Sequence, residues 1–224
     1  DSILYREYLK QRYAIPLQGK TDASITAISE IYYTGVLGPV VALSVDNLYQ
    51  NAILQSDVQL TDDSLNLFKS CLKKIIEMQK PSFTEESEKI EMVPEFMNAI
   101  KNLSTGFFSY INHPWVAFNS KELALDAVKR AKDTIEKINK YIGFSGGIPV
   151  QVDNDEIIFV PPRDITNEEL ERSFINMLSK KVLEAEGLTF KFRARRALSY
   201  KKKNVAFLLY NNKISIRSNL LLSR

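Results

Sequence analysis

The sequence predicts an α+β fold built around an antiparallel sheet. Three observations carry this. Residues 148–162, IPVQVDNDEIIFVPP, set two β-rich halves on either side of an acidic cluster, the pattern of a hairpin. Residues 188–218 alternate apolar and polar positions in three runs, LTFKFRA, NVAFLLY and KISIRS, which is the period of half-buried strands. Between 62 and 142, apolar residues instead recur at three- and four-residue spacing, the period of helices. Helices and strands segregated in this way favour α+β over a parallel α/β plan.

Taken in order, residues 1–13 scatter Ile3, Leu4, Tyr8 and Leu9 among charges and read as a short helix, broken by Pro16 and Gly19. Residues 24–33 read either as a second short helix or as an extended entry segment. Gly35, Gly38 and Pro39 mark a turn before VVALSV (40–45), a short β-branched run that reads as a buried strand. A helix then starts at Asp46 and runs to Leu54. Residues 62–80 form a helix capped by Asp62 or Asp63, with Leu65, Phe68, Leu72, Ile75, Ile76 and Met78 as its stripe. The polar, proline-bounded segment 81–94 reads as a loop or hairpin tip. Helices follow over 95–111 and 120–142, the second with Leu123, Leu125, Val128, Ile135 and Ile138 as its apolar face, ended by Gly143, Gly146 and Gly147. Thr166 and Glu169 make a capping box for a helix reaching Glu186. Asn211-Asn212 turns the final meander. No internal repeat or low-complexity segment interrupts this order.

Composition narrows the chemistry. The 224 residues are 45% hydrophobic and 25% charged, ordinary for one large domain or two small ones. A single cysteine, Cys71, rules out an internal disulfide and fits a reducing, intracellular setting, cytoplasmic or nucleoid and nuclear. One cysteine and one histidine, His113, do not make a zinc site, so a metal here has to sit on carboxylates. No apolar run is long enough to span a membrane, and the charged opening DSILYREYLK is unlike a secretory leader. The net charge is only +3, but KFRARRALSYKKK (191–203) holds seven cations and no acid. Such a stretch is either a solvated face or a phosphate-binding surface.

Three local features bear on function. Asp153-Asn154-Asp155 between two strands reads as a solvated hairpin tip or as a carboxylate pair holding Mg²⁺, which favours hard oxygen ligands. Asp46, Asn47 and Tyr49 follow a buried strand, where ligands often sit, although a capping aspartate and a core tyrosine explain them almost as well. Lys101 lies on a helix, solvated or aimed at an anion.

Together and in order, these segments resemble the family B DNA polymerases. YREYLKQRYAIP looks like the lead into that family's palm, and LSVDNLYQNAIL (43–54) lies where it has DFxSLYPSII. CLKKIIEMQK resembles the first fingers helix, and KNLSTGFFS (101–109) falls on KxxxNSxYG. PWVAFNSKELALDAVKRAKDTIEKI looks like the helix returning to the palm. VQVDNDEIIFV stands where the family has YGDTDSIFV, and FKFRARRALSYKKKNVAFLL resembles the stretch ending in a KKRY-type motif. The resemblance implies a palm in two parts, 1–60 and 120–224, around a helical fingers insertion, 61–119, leading toward a missing or truncated thumb. No exonuclease region is expected, so the chain is either a piece of a larger polymerase or a reduced one.

The resemblance also implies roles. Asp153, Asp155 and Asp46 would be the catalytic metal ligands for two Mg²⁺ ions. Lys101, Tyr49, Asn47 and Phe108 would meet the incoming deoxynucleoside triphosphate. Lys201, Lys202, Lys203, Arg193, Arg195 and Arg196 would grip primer-template DNA. One departure matters most: the aspartate that bridges both ions in the family corresponds to Ser44. Asp46, two residues on, replaces it only if the strand continues. Two registers are open at the hairpin, one keeping Asp153 and Asp155 and the other aligning Asn154 and Glu156. The expected function is template-directed deoxynucleotide transfer, impaired by Ser44. The alternative is an inactive polymerase-fold subunit that binds primer-template, a partner polymerase, or other replication or repair proteins. A third reading is an unrelated α+β domain, which a meander ending away from the 148–162 hairpin would favour.

Overall fold

The computed structural model describes residues 2–15, 25–60, 63–79, 94–165, 167–182 and 187–218. Among them the chain forms six helices and eight strands, in the α+β arrangement expected. Two compact units divide it: Asp1–Thr26 with Tyr49–Arg130, and Ala27–Leu48 with Ala131–Arg224. Of the three boundaries, those after Leu48 and Arg130 fall inside helices and the third follows Thr26.

The first unit is helical. It holds α1 (Ser2–Lys10), most of α2 (Leu48–Gln55), α3 (Leu67–Met78), α4 (Pro94–Ile111) and the first part of α5 (Lys121–Phe144). Its core is aromatic. Tyr8 packs on Phe118 at 5.3 Å between centroids, and Phe68 packs on Phe107 at 5.0 Å. Helix α3 starts later than its apolar spacing suggests. Asp63 accepts from the Leu67 and Phe68 amides at 3.0 and 2.8 Å, while Asn66 turns left-handed at φ 51°. Leu65 therefore precedes the helix, and Asp62 lies outside the described residues, as do residues 81–93 of the loop expected over 81–94, whose last residue, Pro94, instead opens α4. On α5 the buried seam runs through Ala124, Ala127 and Ala131 as well as Leu123, Ile135 and Ile138, and Leu125 is 51% exposed. Alanine lets helices approach closely, so it marks the contact face without standing out in a hydrophobic pattern.

The second unit is an antiparallel sheet. It comprises β1 (Ser29–Ile31), β2 (Gly35–Leu37), β3 (Val40–Val45), β4 (Ile148–Asp153), β5 (Glu156–Val160), β6 (Leu188–Lys201), β7 (Asn204–Leu209) and β8 (Ile214–Ser218), in the order β1-β4-β5-β3-β6-β7-β8 with β2 on β6. Of residues 24–33, the described 25–33 thus take the extended alternative, and the expected glycine turn holds a short strand. Val40, Ala42, Val150, Ile158, Ala194, Ala197, Val205 and Phe207 pack together on one face. Arg217 of β8 reaches Glu156 of β5, although four strand spacings separate them. At roughly 4.8 Å per spacing a flat sheet would hold them about 19 Å apart, so the sheet curls around this core.

The remaining part of α5 and helix α6 (Glu168–Val182) cover the outer face of the first strands. Phe174 meets Phe159 at 6.1 Å, and Lys132 ties α5 to Glu30 of β1 at 2.8 Å. This explains why all six residues of β3 are buried: both faces are covered. At the start of α6 the Asn167 side-chain oxygen accepts from the Leu170 amide at 2.9 Å; the expected capping residue Thr166 lies outside the described residues.

Candidate functional site

The acidic cluster sits where the β4–β5 hairpin meets the end of β3. Asn154 and Asp155 form the two-residue turn, with Asn154 left-handed at φ 57°, and Asp153 pairs with Glu156 across it. Ser44 stands opposite Glu156 in the neighbouring strand. The Ser44 hydroxyl, 3% exposed, donates to Asp155 Oδ2 at 2.8 Å, and the Val45 amide donates to the Asp155 carbonyl at 2.8 Å. The serine expected to weaken a metal site is thus a fixed partner of one of the proposed ligands.

Asp46 continues past β3, its amide donating to the Gly187 carbonyl at 2.8 Å. Thr189 donates its hydroxyl to the Asp46 carboxylate at 2.8 Å, and Thr189 is the cross-strand partner of Ser44. Asp46 therefore faces the same side of the sheet end as Ser44, as strand alternation requires. A Cβ on residue 187 would stand 2.8 Å from Asp46 Oδ2, so glycine there lets the carboxylate lie against the backbone. Asp153 is paired with Lys203 at 3.4 Å, and Glu156 with Arg217.

Whether two magnesium ions suit these side chains depends on what they already hold. Among the described residues no three His, Cys, Asp or Glu side chains form a group able to hold a metal ion. Asp155 takes the Ser44 hydroxyl, Asp46 takes Thr189, and Asp153 takes an ammonium. In this arrangement the three carboxylates are held by separate partners and form no common group able to hold an ion.

The residues expected at the nucleotide lie in the helical unit, apart from Asn47, which is left-handed at φ 52° just before α2. Tyr49 and Phe108 do come together. Their rings stack at 4.4 Å with 28° between planes, and they are 8% and 9% exposed. Lys101 is exposed on α4.

The basic strand splits in two. Arg195, Arg196, Lys201 and Lys202 are exposed, whereas Arg193 is drawn inward, 2.9 Å from Glu171 of α6 and over the Tyr210 ring. Burial pushes the Glu171 carboxyl up and Arg193 opposes that shift. Arg193 is thus committed to the sheet–helix contact and does not join the exposed cations. Thr189, Gly187 and Arg217 had no local signal in sequence: each acts through a cross-strand neighbour far away in the chain.

The meander returns to the hairpin, through Lys203 to Asp153 and Arg217 to Glu156, which is the opposite of what an unrelated domain was expected to do. The family B DNA polymerase from the hyperthermophilic archaeon Pyrobaculum calidifontis superposes with a TM-score of 0.70 over 96% of this chain, at 14% sequence identity. What is similar is the fold. The chain spans 32% of that polymerase's length. No family model and no curated protein matches it in sequence. No helix among the described residues is long and apolar enough to cross a membrane.

Proposed function

We propose that the chain is a polymerase-fold module that grips primer-template DNA without carrying a working two-metal centre. The observation behind this reading is the Ser44–Asp155 hydrogen bond. A neutral donor occupies the position where the resemblance calls for the shared anionic ligand, and it consumes an oxygen of a second ligand. Phosphoryl transfer relies on positioned charge, so losing a bridging carboxylate removes most of what such a site supplies. The exposed cations Arg195, Arg196, Lys201 and Lys202 remain available, and phosphate contacts of this kind dominate nucleic-acid affinity. Deoxynucleoside triphosphates are secondary partners at most, because Tyr49 and Phe108 spend their faces on each other.

A second reading, a slow polymerase, rests on Asp46 sharing Ser44's side of the sheet end. One experiment separates them: extension of a primed template with Mg²⁺ or Mn²⁺, beside salt-dependent binding of the same duplex. The expected outcome is binding that weakens steeply with salt, without extension. Replacing Lys201 and Lys202 by alanine should lower the salt slope by about 2, roughly one per phosphate contact. Extension with Mn²⁺ that Asp155→Ala and Asp46→Ala both abolish would establish the slow polymerase instead.

A further inference from the structure

The face of the sheet opposite its core is covered along only part of its width. On β6, Ala194 and Ala197 point into the core, and an irregularity between Ala194 and Arg196 absorbs the odd residue. Arg193, Arg196 and Leu198 therefore share the outer face, the face that takes Glu171 of α6. Among the described residues the helical cover stops beyond Arg193. Val36, Leu198, Ala206 and Ile216 then stand in cross-strand register, one from each of β2, β6, β7 and β8. Val36 is 66% exposed, Leu198 48% and Ile216 59%. The next row sets Arg196, Leu208 and Ile214 side by side, with Ile214 69% exposed. A contiguous aliphatic face across four strands is not the scattered apolar exposure of an ordinary surface.

Its margin carries one sign of charge. From Gly187 to Ser218 the chain has nine Lys and Arg residues and no Asp or Glu. Arg196 lies in the apolar rows, exposed Lys213 precedes Ile214, and exposed Lys201 and Lys202 close the β6–β7 end. An occupant must be apolar in the centre and acidic at the edges. Nucleic acid meets the charge but not the centre, because aliphatic side chains offer bases no aromatic platform. A sheet face of this kind is ordinarily buried by a helix, as α6 buries the neighbouring part of the same face.

We propose that this face docks an amphipathic α-helix of a partner protein, with an aliphatic stripe bordered by Asp and Glu. The interaction rests on the aliphatic rows, and its margin shares Arg196, Lys201 and Lys202 with the proposed nucleic-acid grip, so helix and duplex compete for those cations. The probe is a synthetic helical peptide of about 18 residues, with leucines at i, i+3, i+4 and i+7 flanked by glutamates. Its counterpart has lysines in place of the glutamates. Binding to the full chain is read by fluorescence anisotropy. The acidic helix should bind saturably, the basic one roughly tenfold more weakly, and Ile216→Glu and Leu198→Ser should each weaken the acidic helix by about tenfold with melting unchanged.

Equal binding of both peptides, or no loss in either variant, overturns the proposal. So does self-association by sedimentation that Ile216→Glu abolishes, which assigns the face to a second copy. Capture of the chain by phosphatidylserine vesicles that Ile216→Glu abolishes assigns it to a membrane and overturns the proposal as well.

Discussion

A hydroxyl at position 44 suits Asp155 in a way that a second carboxylate does not. Ser44 is buried and donates at 2.8 Å, so it satisfies both its own desolvated oxygen and the aspartate's. Restoring the carboxylate that the resemblance calls for puts two anions within contact distance with no donor between them. Ser44→Asp should therefore lose about 3 kcal/mol of stability in EDTA. If the sheet end retains the shape of a metal site, Mn²⁺ should return much of that loss by binding the folded variant. The wild-type melting temperature should stay flat across the same titration. A variant as stable as wild type in EDTA would show that the Ser44–Asp155 contact is incidental.

At the scale of elements, local chemistry was legible and distant partners were not. The β4–β5 hairpin, the buried β3 and the meander follow from side-chain period, and α4 and α5 from spacing alone. The start of α3 shows where this fails. Asp63 was a visible cap, but its reach to the amides of Leu67 and Phe68, four and five residues on, depends on the left-handed Asn66 and on Tyr8 from another helix. The candidate site behaves likewise. Residues at 44, 46, 153 and 155 were found by local pattern and resemblance, whereas Thr189, Lys203 and Arg217 appear as their partners only once β6 and β8 are folded back. Asp63 is 8% exposed and its carboxylate receives the Tyr8 hydroxyl at 2.7 Å besides the two amides. Its loss takes an acceptor from a buried helix end and from a buried phenol. Asp63→Ala should cost about 2–3 kcal/mol in urea unfolding, and Tyr8→Phe about 1. In the double variant the two losses should sum to less than their total, because both report on one hydrogen bond. Strict additivity would mean that the Tyr8 hydroxyl acts through a partner other than Asp63, since phenylalanine keeps the ring packing against Phe118.

Across the whole molecule, carboxylates respond to acid in opposite senses. Glu30 is held below the ordinary carboxylate range first by the Lys132 ammonium and then by the Tyr32 hydroxyl. Asp126 is held low first by the Ser56 hydroxyl, at 2.5 Å, and then by Arg130. Glu171 is pushed the other way by burial. For Glu30 and Asp126 the unfolded chain binds the proton more readily. Their contribution is complete above the unfolded carboxylate value, about pH 4, and is lost as pH falls through the lower folded value. For Glu171 the folded state binds the proton more readily, so stability is gained as pH falls from the raised folded value toward the unfolded one. The two effects pull apart in adjacent windows. Glu30→Gln should be less stable than wild type at neutral pH, and that gap should start to shrink below about pH 4 and close only as pH falls through the lower folded value, where the wild-type Glu30 is itself protonated. Glu171→Gln should instead remove a term that favours the fold as pH falls from neutral, so its unfolding profile should be flatter over the range above about pH 4. Urea unfolding across pH 3–7, followed by circular dichroism, reads both slopes. A gap for Glu30→Gln that persists unchanged into acid would mean that its bonds to Lys132 and Tyr32 do not hold in solution, and that β1 is fastened to α5 by packing alone.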